Sequence, residues 1–485
     1  MGWARAWQQL WRWLRRCGGA ALAVLLAGGW TSVQAQALPP AVSQAMARHA
    51  LPLSSLSALV VPVSGGAALL SVQAQRPMNP ASTAKIITTS AAVDLLGADY
   101  LWQTRFYADG PIEHGVLMGN LYVRGGGDPK LVLERILEAY QQLQALGVRT
   151  VMGDWVLDRS AFEAQTRDEA AFDGEALKPY NTQPDALLVN FKSVILKFQP
   201  DRKAGVAQLV LEPPLAGLSA PPTVPLRAGR CGDWRAALKA RVDDPNRFRF
   251  EGRLPVGCGA LEWPLAYADP QAYAGRALMG LWASVGGKSE GRWREGAVPP
   301  NARLLLSMPS LPLRDIVSDV NHFSNNVMAQ QVFLTLGSPS LEAADFAHAR
   351  QRLRSWWHQR VSAELPPPEL DNGSGLSRVT RISAQQMAAA LRHAATMPQA
   401  QDFLDSLPVA GVSGTVSHMG RDGSTPHAFG NARLKTGTLN DVTAIAGYVT
   451  DRQGRLLLVV GMINAEGAKH ARSVLYTLVE WAAGQ

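Results

Sequence analysis

Ser82-Thr83-Ala84-Lys85 sets a hydroxyl three residues before an amine. In a helix that spacing is close to one turn, so the two side chains share a face and can meet. Serine is a weak nucleophile until a base takes its proton. Lys85 can be that base only when neutral. From an ordinary pKa of about 10.4 this asks for a depression of roughly 3 units, or about 4 kcal/mol. Burial and a second nearby cation are the two ways to obtain it. The plain alternative is a capping serine followed by a surface lysine. Against that, the chain has ten lysines and this is its one Ser-x-x-Lys.

Two further short motifs follow. Ser324-Asn325-Asn326 puts a hydroxyl and an amide two residues apart, which suits a turn that opens a helix with both side chains toward a cleft. Lys435-Thr436-Gly437-Thr438 offers a cation, two hydroxyls and the amides of a strand edge. Gly437 within it would let another backbone, such as a peptide ligand, come close. Two other patterns carry no chemistry. Gly125-Gly126-Gly127-Asp128-Pro129 lacks the Gly-Lys-Ser/Thr ending of a phosphate loop and reads as a turn. Gly287-Lys288-Ser289-Glu290-Gly291 follows a helical run rather than a buried strand, so it reads as a helix-ending turn and not as a nucleophile elbow.

The elements that must hold the three motifs are legible in outline. A short helix over 38–50 precedes a β-hairpin, Ala58–Val63 with Ala67–Val72 across Ser64-Gly65-Gly66. Pro80 and Gly97 bound the helix that Ser82 opens. From about residue 99, strand-like runs (101–108, 116–123, 151–158) alternate with a helix at 130–146. Residues 188–262 are strand-like and proline-rich, and a helix at 270–284 follows. Helical texture returns at 312–335, 342–361 and 383–397. Arg433–Gly437, Thr443–Val449 and Leu456–Ile463 read as antiparallel strands, with a turn at 451–454, before a closing amphipathic helix at 468–483.

Composition bounds the class. The chain has 485 residues, 47% apolar and 18% charged, enough for buried cores and too apolar for disorder. Arg5, Arg12, Arg15 and Arg16 precede a short apolar run, Gly18 to Gly29, and small-residue cleavage sites at Val33-Gln34-Ala35 and Ala35-Gln36-Ala37. This is the pattern of a secretory signal over 1–35, too short for a membrane span. Cys17 follows Arg15-Arg16 rather than the small apolar residues of a lipid-anchor site. Cleavage removes four arginines and takes the formal charge from +8 to +4. The arginines are scattered, which gives no nucleic-acid pattern. An exported, periplasmic protein without a transmembrane anchor is expected. Cys231 and Cys258 would then pair in an oxidising compartment, and without a histidine cluster they do not make a zinc site.

The order Ser-x-x-Lys, Ser-x-Asn, Lys-Thr-Gly is the signature of β-lactamases and penicillin-binding proteins. The middle motif there is Ser-Asp-Asn, and Asn325 stands here in place of the Asp. Over nearly all of residues 38–485 the sequence resembles the class C low-molecular-mass penicillin-binding proteins, the D-alanyl-D-alanine carboxypeptidase/endopeptidase family. Further matching stretches are Pro80–Lys85, Gly127-Asp128-Pro129, Asp371–Arg378, Leu407–Gly411 and Ala446–Val449. The resemblance implies an α/β (α+β) fold: a β-lactamase/transpeptidase-like catalytic domain formed by both chain ends, 36–98 and 290–485. An inserted domain (99–187 and 263–289) would carry a nested β-rich subdomain (188–262). It implies Ser82 as nucleophile, Lys85 as base, Ser324 as proton relay and Asn326 as the holder of Lys85 and substrate. Lys435, Thr436, Gly437 and Thr438 would line the substrate site, with Lys435, Thr436 and Thr438 binding the terminal carboxylate. Substrates would be peptidoglycan muropeptides, with β-lactam antibiotics as covalent inhibitors and no metal or cofactor. Family members often read diaminopimelate with an acid from the insertion, for which Asp173 or Glu175 is the candidate; Asp371 and Ser374 sit in a glycine-rich turn near the cleft, structural for Asp371 and open for Ser374. A β-lactamase would need a deacylating Glu that the sequence does not place, and the large insertion argues against it. A non-catalytic wall-binding protein fits poorly with intact Ser82, Lys85 and Lys435.

Overall fold

The two ends of the chain meet in one antiparallel sheet. A computed structural model describes residues 38–164, 168–338, 343–421 and 423–485. The signal segment expected over 1–35 lies outside them. Strand order in this sheet is 432–439, 442–450, 456–464, 56–62, 70–72. Leu56 pairs with Ile463 and Pro62 with Leu457, joining the N-terminal hairpin to the last strand. Alternate residues face two cores. Leu59, Ala446 and Val460 meet the helices Lys85–Leu96, Leu313–Phe323, Asn326–Leu336 and Ala384–Ala394. Val60, Ile445 and Val459 meet the helices Pro40–Arg48 and Arg472–Ala483. Because both faces are covered, the strand Val442–Thr450 is apolar along most of its length instead of alternating.

The intervening segment builds two more five-stranded sheets. One has the order 293–295, 155–158, 121–124, 103–108, 303–309 and includes parallel pairs. Its strands therefore extend past residue 290, to Pro309. The helices Leu133–Ala145 and Pro270–Ser284 cover it, and the Tyr140 hydroxyl donates to Leu278 O at 2.7 Å. The other has the order 254–255, 223–227, 206–212, 193–201, 261–266. Cys231 and Cys258 are disulfide-bonded beside it, as expected.

Several boundaries differ from the sequence reading. The runs 116–123 and 151–158 each break in two, since Val116–Leu117 and Thr150–Val151 belong to a separate small sheet. Gly119 and Gly153 sit at the switch and touch, the Gly153 N–H donating to Gly119 O at 3.0 Å. A Cβ on Gly153 would lie 2.6 Å from that oxygen, so the crossing needs glycine. Lys288–Ser289 forms a short strand beside Thr150–Val151, so the 287–291 segment is more than the end of a helix. The 312–335 region is two helices broken at Ser324, and the helix Phe346–Trp356 ends in a π-helical turn, Trp357–Val361. Among the described residues no helix is long and apolar enough to cross a membrane.

Candidate active site

Ser82 does not open an α-helix, as the spacing suggests. It lies in a 3₁₀ turn, Ala81–Ala84, and Lys85 is the first residue of the helix Lys85–Leu96. The pairing survives because side chains three apart eclipse in a 3₁₀ turn; Lys85 Nζ is 3.0 Å from Ser82 Oγ. The turn is pinned by Asn79. Its Nδ2 donates to Ser377 O at 2.9 Å, and its Oδ1 accepts from the Ala81 N–H at 2.9 Å. Asn464 exchanges two further hydrogen bonds with the Asn79 backbone. Ala81 is thereby held at φ 45°, a left-handed conformation that costs a residue with a Cβ about 1–2 kcal/mol.

Lys85 is fully buried, with three oxygens around its nitrogen. Beyond Ser82 Oγ these are Asn326 Oδ1 at 2.7 Å and Ser374 O at 2.6 Å. None is a carboxylate. Burial first, and then the charge of Lys435, depress its pKa well below the usual lysine range. These are the two causes the sequence requires, with desolvation the larger.

Ser324 stands at φ 58° between two helices. Asn325, not Ser324, caps the second helix, its Oδ1 accepting from the Met328 N–H at 3.1 Å. That gives the residue replacing the expected Asp a structural task at the helix N-terminus. Asn326 enters the cleft from the first helical position; its Nδ2 donates to Tyr180 O at 3.1 Å, tying the inserted segment to the site.

Lys435 is also fully buried. Its Nζ donates to Ser324 Oγ and to Thr436 O, both at 2.8 Å, and burial lowers its pKa to about 7. Thr436 Oγ1 is 2.8 Å from Thr415 Oγ1, while Thr438 is exposed on the cleft. The close approach that Gly437 permits is to the chain's own nucleophile turn. A Cβ there would lie 2.7 Å from both Pro80 O and Ser82 N. The close backbone approach expected at Gly437 is thus made by the turn that carries Ser82.

The cleft brings together Ser82, Ser324, Asn326 and Thr438 with Phe172, Asp173 and Tyr180 of the inserted segment. Asp173 accepts from the Tyr180 hydroxyl and from Asn181 Nδ2, each at 2.8 Å. Burial would raise its pKa, but these bonds outweigh it and hold the carboxyl below the ordinary value. The same carboxylate pushes the Tyr180 hydroxyl, already raised by burial, to about 12. Arg378 stacks 4.5 Å over the Phe172 ring.

Some neighbours escaped sequence reasoning. Ser374, left open by its glycine-rich turn, supplies a carbonyl to Lys85. Its flanking glycines are the available sign: Gly375, at φ 78°, packs against Ala81 O closely enough to exclude any Cβ. The Tyr180 carbonyl, Thr415 and Arg472 have no motif at all. Among the described residues no group of three metal-ligating side chains occurs.

The model of the D-Ala-D-Ala carboxypeptidase 3 (S13) family matches residues 38–485. The chain is 26% identical over 396 residues to D-alanyl-D-alanine carboxypeptidase DacB of Haemophilus influenzae, covering 80% of each. It is 28% identical over 423 residues to the D-alanyl-D-alanine carboxypeptidase of Actinomadura sp. strain R39, covering 82% of this chain and 76% of that one. The crystal structure of penicillin-binding protein 4 from Haemophilus influenzae matches with a TM-score of 0.75 at 23% identity, over 92% of this chain and 99% of that one. The same protein complexed with a β-lactam matches at 0.71. These two likenesses show a common fold. The family match spans every described element that holds Ser82, Lys85, Ser324, Asn326 and Lys435, and so the chain belongs to the D-Ala-D-Ala carboxypeptidase 3 (S13) family of serine-type peptidases.

Proposed function

We propose that Ser82 forms the acyl-enzyme of a D-Ala-D-Ala carboxypeptidase and D,D-endopeptidase acting on the stem peptides of peptidoglycan. The observation that carries this is the donor count at Lys85. A neutral amine has two N–H groups and one lone pair. Ser374 O and Asn326 Oδ1 are pure acceptors and take the two N–H groups. The lone pair is then left for the Ser82 hydroxyl at 3.0 Å, which is the arrangement a general base needs.

Ser82 Oγ attacks the carbonyl of the penultimate D-alanine and its proton passes to Lys85. The Ser82 and Thr438 backbone amides hold the oxyanion, each donor being worth about 3–4 kcal/mol. Gly437 supports that pairing by seating the strand edge against the Ser82 amide. The C–N bond breaks as the amine takes a proton through Ser324, whose hydroxyl lies on Lys435. The amine belongs to free D-alanine in the carboxypeptidase reaction and to diaminopimelate in the endopeptidase reaction. Water then cleaves the ester. Asp173 receives the diaminopimelate side-chain amine; it lines the cleft, and Glu175 does not. The catalytic part is assigned to both chain ends and the insertion to holding Asp173 and Tyr180 over the cleft. The enzyme works in the periplasm, a reading supported by the secretory pattern at 1–35. Penicillins, which present an acyl group and a carboxylate in the same relation, acylate Ser82.

The test is the mass of the intact protein after benzylpenicillin. It should rise by one drug molecule, and Ser82→Ala should show no rise. An adduct that persists in Ser82→Ala would refute the assignment.

A further inference from the structure

The residue released by the reaction carries a carboxylate, and a site that prefers it needs a standing positive charge. Lys435 supplies one poorly. It is buried, its nitrogen is spent on Ser324 Oγ and Thr436 O, and with a pKa of about 7 it is charged in only part of the molecules at neutral pH. Thr438 is the exposed hydroxyl of the strand edge, and its Oγ1 accepts a hydrogen bond from Arg472 Nη2 at 3.2 Å. A hydroxyl that accepts from a guanidinium keeps its own proton to donate, here into the cleft. Arginine stays charged at any working pH. Arg472 is also the first residue of the 12-residue closing helix, at its positive end. Tyr476, one turn on, has its hydroxyl pKa raised by burial and lies close enough to feel the same guanidinium, which works against that rise. A second cation, Lys469, lines the cleft beside Asn440. Two acids stand on this side: Asp441 is paired with Arg378 at 3.0 Å, and Asp173, across the cleft, is bonded to the Tyr180 hydroxyl and Asn181 Nδ2.

We propose that Arg472 is a positioning residue for the reaction: it orients the Thr438 hydroxyl and supplies the fixed positive charge that selects peptides ending in a free carboxylate. The carboxylate is that of a terminal D-alanine or of the carboxylate-bearing centre of a cross-linking diacid. This rests on Ser82 being the nucleophile.

The experiment compares kcat and KM of the purified enzyme on a D-Ala-D-Ala peptide and on the same peptide with a C-terminal carboxamide. A charge-assisted contact sets a preference of roughly ten- to a hundredfold. In Arg472→Gln the acid-over-amide ratio of kcat/KM should fall by that factor, mainly through KM, and Arg472→Lys should retain most of it. An unchanged ratio in Arg472→Gln, with benzylpenicillin still acylating Ser82, overturns the role of Arg472 alone. Failure of the wild-type enzyme to acylate at Ser82 overturns both this inference and the reading beneath it.

Discussion

Lys85 Nζ and Asn326 Oδ1 lie 2.7 Å apart although 241 residues separate them in the chain. The acceptor is a neutral amide, and this matters for the base role proposed for Lys85. A carboxylate at the same point would favour the ammonium form of Lys85.

Asn326→Asp makes that change with almost no change in shape. An opposite charge at this distance raises a pKa by about 1–3 units. Acylation by benzylpenicillin at pH 7 should fall roughly ten- to a thousandfold and recover as pH is raised, as the acid limb of the rate profile moves upward. A rate profile that does not move would show that Lys85 is not the base.

Gly437→Ala tests the contact between the strand edge and the nucleophile turn. The new Cβ would meet Pro80 O and Ser82 N at 2.7 Å, both backbone atoms that can yield only by moving the turn. Acylation should drop by at least about a hundredfold, the loss seen when an oxyanion donor is removed. Circular dichroism should remain that of a folded protein. Wild-type acylation would mean that the turn tolerates displacement.

Lys435 makes stability depend on pH. Its pKa falls from the ordinary 10.5 to about 7 on folding, so between these values the unfolded chain binds the extra proton. Stability then rises with pH across that window. At about 1.4 kcal/mol per unit the full span is worth roughly 5 kcal/mol, lost again as pH falls toward 7. Lys85, depressed for the same first reason, adds to the same slope. Denaturation midpoints measured from pH 7 to 10 should climb in the wild type, and the climb should be visibly shallower in Lys435→Met. Parallel slopes in the two proteins would contradict the depressed pKa.

Asp173→Asn removes the charge proposed to meet the diaminopimelate amine while keeping the Tyr180 and Asn181 partners within reach. The preference for a diaminopimelate stem peptide over one lacking the side-chain amine should drop about tenfold or more, read as kcat/KM. Turnover of both peptides falling in equal proportion would assign Asp173 to holding the insertion instead.

The amino-acid sequence by itself determined which residues could do the chemistry. Ser82 and Lys85 are three apart, and that offset brings them together in either a 3₁₀ or an α turn, so the pairing did not depend on the rest of the fold. The strands of the C-terminal sheet, the hairpin from 58 to 72 and the Cys231–Cys258 pair were legible for similar reasons, being fixed by local pattern or by counting.

What only the tertiary structure decided were the contacts between distant segments. Residues far apart in sequence leave no periodic trace of who touches whom. Thus the Ser374 carbonyl at Lys85, the Tyr180 carbonyl at Asn326, Gly437 seated on the Ser82 amide and Arg472 on Thr438 appear only once the chain has closed. The breaks at Gly119 and Gly153 belong here too: the glycines permit the crossing, but which sheet each half joins is set by its partners. The depressed pKa of each lysine is the same kind of fact: it follows from burial, and burial is a property of the packed molecule.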